Sequence, residues 1–245
     1  MSSSQRKPWT RDELILAINL YCKTTFGQIH IRNPEIILLA EKLGRTPGSI
    51  SYKLANFASL DPTLDRKGAS NVSQLDKAVW DEFFNDWDKM YEESEKKMAQ
   101  LLRPNSGLSD CLQVDFQHGK MVDRTISVRK NQGIFRKMVL SSYNGECCIT
   151  GIKNKDLLIA SHIVPWAKDV KNRLNPMNGL CLNPLHDKAF DKGLITLNEN
   201  YEVTVSNKEP HELLHRYANQ PISLPSRFRP GQDFLEYHRS RIFQG

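Results

Sequence analysis

Apolar residues recur at helical spacing through the first hundred positions of this chain, and then the pattern changes. The clearest run is Trp80, Phe83, Phe84, Trp87 and Tyr91, spaced three and four apart. It follows Ser73-Gln-Leu-Asp76, a capping-box-like start with an acid three residues after the serine. Together these predict one long amphipathic helix reaching about Leu102. A helix with so aromatic a face has to bury it, in a core or against a second copy. It also divides the chain. Turn formers and charges over residues 61–70 predict a loop before it, and residues 103–109, with Pro104 and Gly107, predict a linker after it.

Charge follows the same division. The 34 Lys+Arg and 28 Asp+Glu leave a net +6, distributed as +4 over residues 1–72, −4 over 73–102 and +6 over 103–245. A single compact domain has no reason to segregate charge along its chain, so the sequence is expected to be modular, with basic blocks facing an anionic partner. At 39% hydrophobic and 25% charged residues the composition is that of a globular protein, which excludes wholesale disorder. No stretch approaches the roughly 20 apolar residues of a membrane span. Residues 1–9 lack the apolar core of a signal peptide, and five cysteines form no regular framework. The expectation is a reducing cytoplasm, without a membrane partner.

The first basic block reads as three helices. Thr10 is a plausible N-cap for a helix carrying Leu14, Ile15, Ile18, Leu20 and Tyr21 on one face. Pro34 suits the first turn of a second helix ending near Leu43, and Pro47 that of a third reaching about Leu60. Ala40 is small where the last two helices would cross, Gly44 sits where the turn needs positive φ, and Ile50 points back to the core. This small–glycine–aliphatic spacing resembles the helix-turn-helix pattern over about 20 residues. On that reading Arg45, Thr46, Ser49, Tyr52, Lys53 and Asn56 offer hydrogen-bonding groups to phosphates and base edges in a major groove. The residues alone leave open a plain three-helix bundle with a solvated polar face.

The second basic block carries the chemistry. Residues 157–164 read as a strand with His162 near its end, residues 147–150 as its hairpin partner, and residues 183–191 as a short helix stopped by Gly193. The words Ala-Ser-His162-Ile-Val-Pro-Trp, Asn-Pro-Met-Asn178-Gly-Leu and His186-Asp-Lys-Ala-Phe-Asp-Lys-Gly stand in that order. This series resembles the HNH endonuclease family with its ββα-metal fold, in a bacterial restriction and defence subgroup. Further words, residues 131–136 before it and 234–243 after it, extend the resemblance over about residues 125–245.

The resemblance implies a catalytic set of His162, Asn178 and His186. His162 would be the general base that activates water, since a neutral imidazole suits that task near pH 7. His186 would be a metal ligand, and Asn178 would tie down the long loop and orient His162. The implied cofactor is a divalent cation, Mg²⁺ or Mn²⁺, and the implied products carry 5′-phosphate and 3′-hydroxyl ends. Two positions depart from the family. Ser161 stands where many members have an acid or histidine, so it would be a poor or water-mediated metal ligand. Phe190 stands where some have a second helix histidine, and it is expected to pack in the core. Cys147, Cys148 and Cys181 lack zinc-knuckle spacing, so no structural zinc is expected and Cys148 and Cys181 read as buried packing. Arg173, with Lys168 and Lys171, lies in the loop and either grips phosphates or forms a solvated face.

The expected architecture is therefore α+β. It comprises a helix-turn-helix domain over 1–72, a long acidic helix and linker over 73–112, and a ββα-metal HNH domain with flanking helices over 113–245. The implied activity is a metal-dependent endonuclease acting on double-stranded DNA, as a homodimer where both strands are cut. Two alternatives are a restriction enzyme that depends on base modification, and a DNA-binding regulator whose HNH fold is catalytically silent.

Overall fold

The structure, a computed structural model, describes residues 7–62, 64, 71–102, 120–208 and 212–245, with backbone only over 120–130. The linker expected over 103–109 and most of the loop expected over 61–70 lie outside the described residues.

The N-terminal helices begin and end where local chemistry requires. Helix α1 (Arg11–Lys23) opens with a reciprocal cap: Thr10 Oγ1 accepts from Glu13 N, and the Glu13 carboxylate accepts from Thr10 N. Helix α2 (Pro34–Leu43) starts on Asn33 and stops at Gly44, whose φ of 61° closes it in the left-handed conformation. Helix α3 (Pro47–Leu60) starts on Thr46, whose hydroxyl accepts from Ser49 N.

The single helix expected after residue 73 is two. Helix α4 (Gln74–Asn85) ends at Asp86, and α5 (Trp87–Leu102) follows at once. Asp86 causes the break, because its carboxylate accepts from Lys89 N at 3.1 Å and so caps the next helix instead of continuing the last. The aromatic residues keep phase across the break. Trp80, Phe83, Trp87 and Tyr91 are all buried, and the stripe packs inside the chain: Trp80 lies on Tyr21 and Phe57, and Trp87 meets Phe228 edge-on at 5.8 Å.

All of residues 13–22 are buried, so α1 is the central rod of the protein, packed by α3, α4, α5 and also α6 (Lys120–Ser142). The C-terminal half joins this core directly. Fully buried Arg227 donates to Tyr21 O and Cys22 O at the end of α1, and to Ser141 Oγ of α6.

In that half, β1 (Ile159–His162) pairs antiparallel with β2 (Gly179–Leu182), in the register Ser161 opposite Leu180 and His162 opposite Gly179. The partner expected for β1 was residues 147–150, and that pairing is corrected here. Those residues form a turn, with Gly151 N on Cys147 O at 2.9 Å, while Cys148 N bonds Cys181 O at 2.8 Å. Short apolar runs fit any partner of the right length, and the choice was made by the loop chemistry described below. Both faces of the pair are covered, by α6 and by α7 (Pro184–Asp191), which is why Gly179–Leu182 is buried without alternation. A second hairpin, β3 (Ile195–Leu197) with β4 (Val203–Val205), a short helix α8 (Glu212–His215) and α9 (Gln232–Arg241) complete an α+β fold.

One ion pair of this core sets an acid limit on stability. The Glu13 and Arg45 side chains are nearly buried, and Glu13 accepts from Arg45 Nε at 3.1 Å and Nη2 at 2.7 Å. Burial alone would raise the Glu13 pKa, but the hydrogen bonds from Arg45, Thr10 N–H and Lys7 outweigh it and lower the value from 4.5 to about 2. A carboxylate held below its unfolded value contributes stability that is fully present above that value and lost as pH falls toward the folded one. Urea unfolding of the wild type is therefore expected to lose about 3 kcal/mol from Glu13 between pH 5 and pH 2. Glu13→Gln should be less stable at pH 7 and flatter across that window. Parallel pH profiles for the two proteins would rule the assignment out.

Candidate functional site

His162 ends β1 with its ring fixed from three directions. Nε2 lies 2.9 Å from Arg173 O. A carbonyl only accepts, so Nε2 carries the hydrogen and Nδ1 keeps its lone pair. The Phe135 ring of α6 stacks on the imidazole with centroids 3.7 Å apart and planes 13° from parallel, and Trp166 meets it edge-on at 5.4 Å. Burial lowers the His162 pKa below 6.5, against a smaller opposing effect of the Arg173 carbonyl, so the imidazole is neutral at pH 7.

The loop between β1 and β2 is tied down by asparagines. Asn178, 1% exposed, accepts from Val164 N at 2.8 Å through Oδ1 and donates to Val164 O at 3.2 Å and Asn172 O at 3.4 Å through Nδ2. Its own carbonyl accepts from Ile163 N at 3.0 Å. Asn172 bonds Asp169 twice, and Asn175 donates to Asn172 Oδ1 at 2.9 Å. These bonds hold residues 163 and 164 beside residue 178, and so select β2 as the partner of β1. Arg173 itself donates through Nε to Trp166 O at 2.9 Å, which orients the segment whose carbonyl receives His162.

His186 sits in the first turn of α7 and is 2% exposed. The N-cap residue Asn183 accepts through Oδ1 from both His186 N and His186 Nδ1, each at 3.0 Å. Nδ1 is therefore the protonated nitrogen, and Nε2 is a buried lone pair with no hydrogen-bond partner. Burial lowers the His186 pKa below 6.5 as well. Ser161 Oγ is likewise buried and unpartnered. Buried polar atoms without a partner also occur elsewhere among the described residues, Trp87 Nε1 and Tyr143 Oη among them; His186 Nε2 and Ser161 Oγ differ in lying on packed neighbouring elements, α7 and β1. Among the described residues no three His, Cys, Asp or Glu side chains are grouped to hold a metal ion. One imidazole nitrogen and one hydroxyl, with no carboxylate, would be a sparse donor set, so a cation held there would take most of its shell from water and phosphate oxygens.

Neighbouring positions are structural. Phe190 is buried and stacks on His238 at 3.7 Å. Cys148 and Cys181 are buried, and burial pushes both thiols up, Cys181 to about 12, so they pack as protonated side chains.

The six N-terminal residues singled out for DNA contact line one groove of about 1140 Å³, with Lys7, Trp9 and Asn71. Within it Arg45 is paired with Glu13. Lys53 bonds both Asp76 oxygens at 2.9 Å and lies 5.0 Å over the Trp9 ring. Asn56 is buried and donates to Asn71 O at 3.0 Å. Thr46 and Tyr52 are exposed, and Ser49 is partly so. Arg173 stands apart from this groove, in the loop over His162. Sequence reasoning missed Phe135, Trp166, Asp169 and Asn172 as parts of the site. Phe135 and Trp166 lay within recognisable words and Asn172 among turn formers, but none of them was marked there as a contact of His162.

Two antiparallel strands joined by a loop tied with asparagines, followed by a helix that presents an unprotonated imidazole nitrogen, make up this part of the chain. Residues 147–198 match the family model described as HNH endonuclease. The chain thus carries an HNH endonuclease domain in its C-terminal half. Among solved structures, the "Modification dependent TagI restriction endonuclease" matches at 22% identity and a TM-score of 0.35, over 44% of this chain and 37% of that one. The chain thus spans little more than a third of that relative. No curated protein matches it.

Proposed function

We propose that the chain is a metal-dependent endonuclease of double-stranded DNA. In this reading β1, β2 and α7 form the ββα-metal unit, and the N-terminal helices are a helix-turn-helix reader. The observation that carries it is the pair of fixed tautomers: within the HNH segment, His162 and His186 each have one ring nitrogen occupied and the other left with its lone pair. His162 Nδ1 takes the proton of an attacking water, the water oxygen bonds to phosphorus, and the P–O3′ bond breaks, the leaving 3′ oxygen taking a proton from solvent. The ends are then 5′-phosphate and 3′-hydroxyl. His186 Nε2 and Ser161 Oγ would hold a divalent cation, Mg²⁺ or Mn²⁺, which when bound supplies charge neutralisation at the phosphate and leaving oxygen. Asn178 and Arg173 act through His162 by holding its loop. Thr46, Ser49 and Tyr52 face the duplex, while Arg45, Lys53 and Asn56 shape the groove around them. One such centre cuts one strand, so a double-strand break takes a homodimer. Among the described residues no helix is long and apolar enough to cross a membrane.

Supercoiled plasmid with purified protein and Mg²⁺ or Mn²⁺ should be cut, and EDTA should stop cutting. Cleavage that persists in EDTA, or fragment ends carrying 3′-phosphate, would reject the mechanism. A protein that footprints a site yet never cuts it is the regulator instead.

A further inference from the structure

His162 and Gly179 are directly paired across β1 and β2. Paired residues project from the same face of a sheet, here the face covered by α6. The backbone of Gly179 is extended, with φ −136° and ψ 142°, so any residue can adopt it. Space is what excludes a side chain. A Cβ at Gly179 would stand 2.8 Å from Phe135 Cζ, 2.5 Å from Val139 Cγ2 and 3.2 Å from Pro176 O. Phe135 and Val139 are buried at 1% and 0% exposure, so a methyl at position 179 displaces them only by repacking the core around them. The Phe135 ring and a Val139 methyl thus fill the place of the missing side chain, and the ring lies flat on His162.

Helix α6 is in turn pinned to the segment entering β1. Arg136, next to Phe135, donates to Leu158 O at 2.5 Å and Lys155 O at 2.9 Å.

From this geometry we infer that Phe135 is a positioning residue for His162, and that position 179 is glycine to admit its ring. The inference rests on His162 being the general base proposed above. Two independent restraints then act on one imidazole. The Arg173 carbonyl fixes Nε2, and the Phe135 face stops rotation of the ring about its bond to Cβ. Together they fix where Nδ1 points. Phe135 lies outside the 147–198 HNH segment, so the nuclease unit takes one wall of its base from a flanking helix.

The test uses the full chain with plasmid substrate. Phe135→Leu removes the flat face, and Gly179→Ala drives the ring off the imidazole. Each should lower kcat about 10- to 100-fold with KM for DNA unchanged, since a misplacement of about 1 Å costs that much. In a Val139→Ala background, which removes the nearer clash, adding Gly179→Ala to Phe135→Leu should slow cleavage no further. Phe135→Tyr should retain most of kcat. ¹⁵N spectra of the histidines give a reading that does not depend on cleavage: wild-type His162 should be in the Nε2–H form alone, and Phe135→Leu should show exchange between tautomers. Multiplicative losses of the two substitutions in that Val139→Ala background, or a single tautomer and wild-type kcat in Phe135→Leu, would overturn the inference. Should Phe135→Leu not fold, Gly179→Ala against Phe135→Tyr decides by the same two readings. A wild type that never cuts DNA defeats the base assignment, while the tautomer comparison still decides whether Phe135 orders the ring.

Discussion

His162→Ala should cut DNA about 10²- to 10⁴-fold more slowly than wild type and bind it unchanged. That range is what a positioned general base contributes. The expectation is specific because the imidazole is neutral at pH 7 and has only Nδ1 to offer. Binding should survive because His162 is not among the residues lining the N-terminal groove. The substitution also removes the partner of the Phe135 face, so a modest loss of stability of about 1–3 kcal/mol is expected. Single-turnover cleavage under saturating protein, with a melting curve beside it, separates the two effects. Cleavage within a factor of a few of wild type, in a folded protein, would remove His162 from the mechanism.

What was readable in advance follows from where the information lies. Thr10, Asn33-Pro34, Thr46-Pro47 and Gly44 act on backbone within a turn of themselves, and the bounds of α1, α2 and α3 coincide with them. The break at Asp86 was not readable, because its aromatic neighbours stay in phase across it and only the carboxylate chooses a cap over continuation. The partner of β1 was misread for a related reason. Proximity favoured residues 147–150, but the pairing is decided by Asn178 reaching Val164 across the loop.

The site divides in the same way. His162, Asn178 and His186 were legible as words, since their spacing is a local property of the chain. The groups that hold His162 were not. A backbone carbonyl such as that of Arg173 has no side-chain signature, and Phe135 lies 27 residues upstream on another element. The sequence placed Lys53 on the polar face of the third helix and Arg45 in the turn before it. Their pairing with Glu13 and Asp76 depends on tertiary contacts that no local pattern encodes.

The largest effect on stability is expected at Arg227. Its side chain is wholly buried, and its guanidinium donates to Tyr21 O, to Cys22 O at 3.3 Å and to Ser141 Oγ at 2.6 Å. Tyr21 and Cys22 stand in the last turn of α1, where carbonyls lack helical partners and the helix dipole is negative. Arg227 therefore caps α1 from more than 200 residues away in sequence, and holds it against α6 in the same contact. The cation also lies 4.9 Å from the Tyr21 ring and 5.5 Å from that of Phe228. Arg227→Ala leaves the Cys22 carbonyl and the Ser141 hydroxyl without this donor, leaves Tyr21 O with only Thr24 N at 3.3 Å, and opens a cavity at the junction. The expected loss is about 3–5 kcal/mol by chemical unfolding. Arg227→Lys keeps the charge but not the planar fork, so it should fall between alanine and wild type. A loss below about 1 kcal/mol for alanine would mean that the junction tolerates its removal. The functional consequence separates reader from cutter. His162 and His186 keep their hydrogen bonds to Arg173 O and Asn183, and α6 stays pinned to residues 155 and 158 through Arg136, so Arg227→Ala protein that remains folded should still cut DNA. Its choice of where to cut should loosen, because the helices proposed to read the duplex are no longer fixed to the helix that backs the general base.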